Sequence, residues 1–173
     1  MCCWITWDTK SNARHESPRI GMDTFAGKHL EKSIELLVLT DPEYVVSLLR
    51  LDELGGSLSK ARSELIRLIC VFDGLPFKTR CQSPDCRRRA TRFSAYQRTV
   101  RMVPICDTCD PYHMGASSGK LTVVETYQDA VNHVMESCNG RKADLKRIIR
   151  ALAEAKGLPE RVGEARAISF FEQ

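Results

Sequence analysis

Four cysteines set in two short pairs constrain this chain more than any other feature. Cys81 and Cys86 stand in CQSPDC, Cys106 and Cys109 stand in CDTC, and nineteen residues separate the pairs. Two tight turns that each present two thiolates form the donor set a tetrahedral zinc ion takes in a zinc ribbon. The expectation is a structural Zn2+ held by Cys81, Cys86, Cys106 and Cys109. His113 is an alternative ligand, or else an ordinary loop histidine. Four protein ligands close the coordination shell, which points to a scaffold rather than to a catalytic metal. A zinc deaminase would need a His-x-Glu or Cys-x-Glu element ahead of its Pro-Cys-x-x-Cys. Pro104–Cys109 approximates the second half only, and no first half precedes it.

The other four cysteines are Cys2, Cys3, Cys70 and Cys138. Cys70 lies in the apolar run LIRLICVF and reads as a core residue. Cys138 stands before Asn139-Gly140, as a spare ligand or a plain structural thiol. Cys2 and Cys3 fall in a loose tail. The start MCCWITWDTK lacks the pattern of a secretory signal, and no apolar run approaches the roughly 18 residues of a membrane helix. Reduced thiols, a cytoplasmic setting and no membrane partner are therefore expected.

The net charge of +4 is unevenly spread. Residues 75–105 carry eight basic residues against one aspartate, whereas 106–140 carry one lysine against five acids. The basic excess coincides with the expected ribbon, as a phosphate-facing surface requires. Arg87, Arg88, Arg89, Arg92, Arg98 and Arg101 are the candidate phosphate contacts, with Tyr96 or Phe93 as rings on which bases could stack. The alternative is a solvated basic hairpin, facing the acidic 106–140 segment. Lys28, in the turn Gly27-Lys28-His29, is a further candidate, or a solvated turn residue.

Periodicity predicts a mostly helical α+β protein with the ribbon inserted between helical segments. Residues 1–21 show no period and read as a disordered tail, with 22–76 a helical module, 77–120 the ribbon and 121–173 a helical part packed on it. A strand end is expected at Thr24-Phe25 and a helix over Ser33–Leu39. A second helix starts at Asp41-Pro42, with Asp41 as N-cap. A third follows Gly55-Gly56, capped by Ser57, with Leu58, Ala61, Leu65, Leu68, Ile69 and Phe72 as its apolar stripe. Hairpin strands are expected at Ala90–Tyr96 and Thr99–Val103, a loop around Gly115 and Gly119, and a β-prone run at Leu121–Val124. Helices are then expected over Tyr127–Ser137, Asp144–Lys156 and Glu160–Phe171. In the second of these, Leu145, Ile148, Ile149 and Leu152 face inward and Lys146, Arg147, Arg150 and Lys156 outward.

The segment from Phe25 through Gly27-Lys28-His29 and Lys32-Ser33-Ile34-Glu35, followed by Thr40-Asp41-Pro42-Glu43-Tyr44-Val45, carries several small motifs in order. Residues 23–50 thereby resemble the small C-terminal module appended to exodeoxyribonuclease X-like proteins. Ala26, Glu31 and Ser47 depart from that pattern. The resemblance implies a nucleic-acid setting. It does not imply a nuclease, because a two-metal exonuclease needs several converging carboxylates, and Asp8 in WDTK lacks a partner acid two residues on. P-loop, nucleophile-elbow and dinucleotide-glycine patterns are absent; Ser117-Ser118-Gly119-Lys120 has the wrong glycine spacing. The sequence thus predicts a non-catalytic zinc protein that binds DNA or RNA in repair, recombination or transcription. The alternative is a protein-interaction adaptor that uses the ribbon and final helices for docking.

Overall fold

The computed structural model describes residues 32–51, 56–110 and 121–173. The expected strand end at Thr24-Phe25, the turn bearing Lys28, the tail, His113 and the loop at Gly115–Gly119 lie outside them. The order of elements is α1 (Ile34–Thr40), α2 (Pro42–Leu49), α3 (Gly56–Gly74), β1 (Arg92–Tyr96), β2 (Met102–Ile105), β3 (Leu121–Val124), α4 (Tyr127–Ser137), α5 (Lys142–Ala155) and α6 (Glu164–Phe171). The protein is α+β and mostly helical, as its periodicities predict.

Local chemistry sets three of the helix starts. The Ser33 side chain accepts the Leu36 N–H and caps α1. Asp41 ends α1 with its backbone and caps α2 with its carboxylate, which accepts the Tyr44 N–H, while Pro42 occupies the first turn where no N–H partner is needed. Thr126 and Asp129 form a reciprocal capping box on α4. At the other end of α4, Asn139 and Gly140 both adopt left-handed backbone and turn the chain away. Gly157 ends α5 at φ 105°, where a side chain would be strained and a Cβ would collide with Lys78.

Although only seven residues long, α1 occupies the middle of the helical layer. It packs against α2, α3, α5 and α6, and its Val38 and Leu39 are essentially sealed from solvent. One apolar core joins the helices on both sides of the ribbon: Leu48 and Leu49 of α2, Leu65, Leu68, Ile69 and Phe72 of α3, Val131 and Val134 of α4, Ile148, Ile149 and Leu152 of α5, and Phe170 of α6. Phe72 meets Tyr127 edge-on at 5.7 Å and lies 6.2 Å from Phe170. The Tyr127 hydroxyl donates to the Val38 carbonyl, which satisfies its polar end inside the core. Each fully buried large side chain of this kind contributes about 1.5–3 kcal/mol.

The three strands form an antiparallel sheet in the order β2-β1-β3, so β1 is central. Phe93 pairs with Pro104 and Val124, and Ala95 pairs with Met102 and Thr122. The face bearing Phe93, Ala95 and Val124 belongs to the helical core. Because successive residues of a strand alternate in direction, Arg92, Ser94 and Tyr96 lie on the opposite face.

Several expectations are corrected. The last helix begins at Glu164 rather than Glu160, and the first hairpin strand at Arg92 rather than Ala90. The second hairpin strand starts at Met102 rather than Thr99, since residues 97–101 are spent on the turn. The third helix begins at Gly56, one residue ahead of the expected cap Ser57. Lys156, grouped by its helical spacing with the outward residues of α5, is buried at 1% exposure. Cys70, expected in the core, is half-buried.

Candidate metal centre and basic hairpin

The four cysteines converge. The Sγ atoms of Cys81, Cys86, Cys106 and Cys109 all lie within 4.8 Å of one another, and Cys86 and Cys106 are 3.8 Å apart. A tetrahedral ion with Zn–S bonds of about 2.3 Å requires S–S edges of roughly 3.8 Å, so the donor set fits such a metal. A disulfide would need sulfurs about 2.05 Å apart, and Cys81, Cys86, Cys106 and Cys109 are not bridged in this way. Cys81 and Cys106 are buried and Cys86 and Cys109 half-buried. Together with Ile105 and Val103 they make a small apolar cluster separate from the helical core.

Two backbone turns deliver these thiols. The first caps a short antiparallel ladder, in which Arg80 bridges Arg89, the Cys81 N–H donates to the Arg88 carbonyl and the Ala90 N–H to the Thr79 carbonyl. Within this turn the Cys86 N–H bonds the Ser83 carbonyl, and Asp85 takes left-handed backbone. The second turn follows β2 directly and is closed by the Cys109 N–H on the Cys106 carbonyl at 3.0 Å. The Gln82 N–H donates to the Pro104 carbonyl, which joins the two turns.

The electrostatics of the centre favour thiolate at one position. Burial pushes the Cys106 thiol up, but the N–H groups of Cys109 and Thr108 and the thiols of Cys109 and Cys86 outweigh it and bring it down to about 7. The Cys86 thiol is raised: the Arg88 N–H lowers it, while burial and the neighbouring thiols of Cys109 and Cys106 prevail.

The arginines fall into two groups. Arg92 is turned toward acids of the second turn: its Nη1 lies 3.1 Å from Asp110 Oδ2, and its Nη2 pairs with Asp107. The Thr91 hydroxyl adds a 2.9 Å bond to Asp107. Arg92 thus faces the acidic segment and clamps the Cys106–Cys109 turn. Arg87, Arg88, Arg89, Arg98 and Arg101 are exposed, and among the described residues no carboxylate forms an ion pair with any of them. Arg88 also donates to the Thr108 hydroxyl, across the two turns. Arg98 and Arg101 stand at the far end of the hairpin from the thiols.

Of the two candidate stacking rings, Phe93 is buried against Phe77 at 5.5 Å, whereas Tyr96 is 44% exposed. Cys138 is not part of the thiol cluster. It is buried at the end of α4, and its thiol donates to the Thr99 carbonyl. His133, which the sequence did not single out, reaches the same carbonyl through Nε2 at 3.0 Å.

In comparisons with protein families, curated proteins and solved structures, nothing matches this chain. No helix among the described residues is long and apolar enough to cross a membrane.

Proposed function

We propose that this is a non-catalytic zinc-ribbon protein that binds nucleic acid, in a repair, recombination or transcription setting. The observation that carries this reading is one structural unit holding both a four-thiol cluster and five exposed arginines without carboxylate partners among the described residues. Guanidinium groups bind phosphate oxygens bidentately, and backbone phosphates supply most of the affinity in non-specific nucleic-acid binding. Zinc in the thiol cluster would close the ribbon and hold Arg87, Arg88 and Arg89 in fixed positions beside the first turn. With all four ligands drawn from protein, no coordination position remains for a substrate. The resemblance of residues 23–50 to the exodeoxyribonuclease X-like module supports the same setting.

Titration of purified protein against fluorescent DNA and RNA at increasing salt tests the reading. Affinity should fall steeply with salt. Changing Arg87, Arg88 and Arg89 together to Ala should weaken binding about tenfold or more. The salt slope should flatten by roughly 0.7–0.9 for each phosphate no longer neutralised. Failure to bind either nucleic acid at low salt overturns the reading in favour of the protein-interaction adaptor.

A further inference from the structure

We infer that the hairpin tip is a stacking platform for an unpaired base, so that the protein prefers single-stranded to duplex nucleic acid. The inference rests on the nucleic-acid reading above and names the form of strand that the site takes.

Three observations converge on Tyr96, the last residue of β1. It is an aromatic side chain left 44% exposed, while Tyr127, Phe72, Phe93 and Phe170 are all buried. It opens a cleft of about 550 Å³ lined by Tyr96, Gln97, Arg98, Thr99 and Arg101. That volume falls within the range of small-molecule sites and is ample for one nucleobase. The Arg101 guanidinium lies over the Tyr96 ring, 5.9 Å from its centre. A base stacked on the tyrosine would therefore carry its phosphate close to a cation, with Arg98 on the same turn.

The platform is also held still. The Tyr96 N–H donates to the Arg101 carbonyl, and the Thr99 N–H and hydroxyl both donate to the Tyr96 carbonyl. The Arg101 N–H returns to the Thr99 hydroxyl at 3.1 Å. His133 of α4 and Cys138, which caps that helix, hold the Thr99 carbonyl. A tip fixed in this way loses little conformational entropy when a ligand arrives. Every base has a flat π-face, so a tyrosine flanked by arginines reads unpaired nucleotides without reading sequence. Bases inside a duplex are stacked on one another and cannot reach the ring without unpairing. A peptide partner is disfavoured by the surroundings: among the described residues the cleft is walled by two cations and no acid, which matches phosphate.

The test is fluorescence anisotropy with labelled oligo-dT, oligo-U and a duplex of equal length, on the full chain with its metal content verified. The wild type should bind the single strands more tightly than the duplex. Tyr96→Ala should weaken single-strand binding about ten- to a hundredfold, the range of one base–aromatic stack, and leave duplex binding unchanged. Tyr96→Trp should restore it, which separates stacking from loss of fold. Comparison of oligo-dT with oligo-U decides between DNA and RNA as the source of the strand. Equal binding of strand and duplex, with Tyr96→Ala indifferent to both, overturns the stacking inference and leaves the nucleic-acid reading standing. No binding to any of the three overturns both.

Discussion

Lys156 Nζ donates a 2.7 Å hydrogen bond to the main-chain carbonyl of Leu75, deep in the interior of the protein. A second bond, at 3.2 Å, reaches the Asp73 carbonyl. The ammonium also stands over the rings of Phe77 and Phe72, at 4.9 and 5.5 Å. Lys156 follows the last residue of α5 and places a positive charge against the carbonyl end of α3, where the helix dipole and the unpaired carbonyls both favour it. Across the same junction the Asp73 carboxylate accepts the Tyr127 N–H at 2.7 Å, at the amino end of α4. One lysine and one aspartate thus tie together three helices.

Replacing this lysine should be costly. Lys156→Ala removes two hydrogen bonds to buried carbonyls and leaves a void beside Phe72 and Phe77. The expected loss is about 2–4 kcal/mol, measured as a fall in ΔG from urea unfolding at neutral pH. Lys156→Met keeps most of the packing and removes the buried charge, so its loss should be smaller. A Met variant as unstable as the Ala variant would show that the charge itself is what matters.

Asp73 should make stability depend on pH. Burial pushes its carboxyl up to about 6, against the opposing Tyr127 N–H and Lys156 and with further upward pressure from Asp129 and Glu125. A folded-state value above the unfolded one means that the native state binds the proton more tightly. This contribution is fully present below the unfolded value of about 4 and is lost as the pH rises through about 6, worth on the order of 2–3 kcal/mol across that window. Asp73→Asn removes it. The stability of the wild type relative to this variant should therefore be greater at roughly pH 4.5 than at roughly pH 7.5, as read from urea midpoints at each pH.

Metal removal should act locally. The thiol cluster has its own small apolar shell, and the helical core does not include it. Elemental analysis should find about one zinc per chain, and Cys106→Ser should lower it. Chelation should then loosen the Cys81–Cys86 and Cys106–Cys109 turns, seen as faster amide hydrogen exchange there. The helical circular-dichroism signal should remain largely intact. Complete loss of helix on chelation would show that the two clusters fold as one.

Arg92 should report on the metal centre rather than on phosphate. Its pairing with Asp107 and Asp110 holds the turn that presents Cys106 and Cys109. Arg92→Ala should weaken metal retention against a competing chelator by about 10–100-fold, the usual effect of losing a group that orients metal ligands. Arg87→Ala, with no such tie to the second turn, should leave retention unchanged.

Much of this architecture was legible because its causes are local. Asp41-Pro42 marks a helix start by the bonds those two residues can and cannot make. Asn139-Gly140 marks a stop by their tolerance of left-handed backbone. The stripe Leu65, Leu68, Ile69 and Phe72 repeats at the helical period, and the spacing of the two cysteine pairs is a property of each turn by itself. These signals act over a few residues and survive in a linear reading.

Tertiary structure decided the rest, through residues brought together from far apart in the chain. Helical spacing groups Lys156 with the solvated residues of α5; the carbonyls of Asp73 and Leu75, some eighty positions away, and the rings of Phe72 and Phe77 make its burial tolerable. Arg92 reads as one more cation of a basic hairpin until Asp107 and Asp110 fold back upon it. Phe93 and Tyr96 are equivalent as aromatic residues of one strand. The alternation of β1 and the helices packed against one of its faces bury the first and leave the second in solvent. A pattern along one element says which face is apolar, but what that face or a stray charge will meet depends on neighbours that only the folded chain supplies.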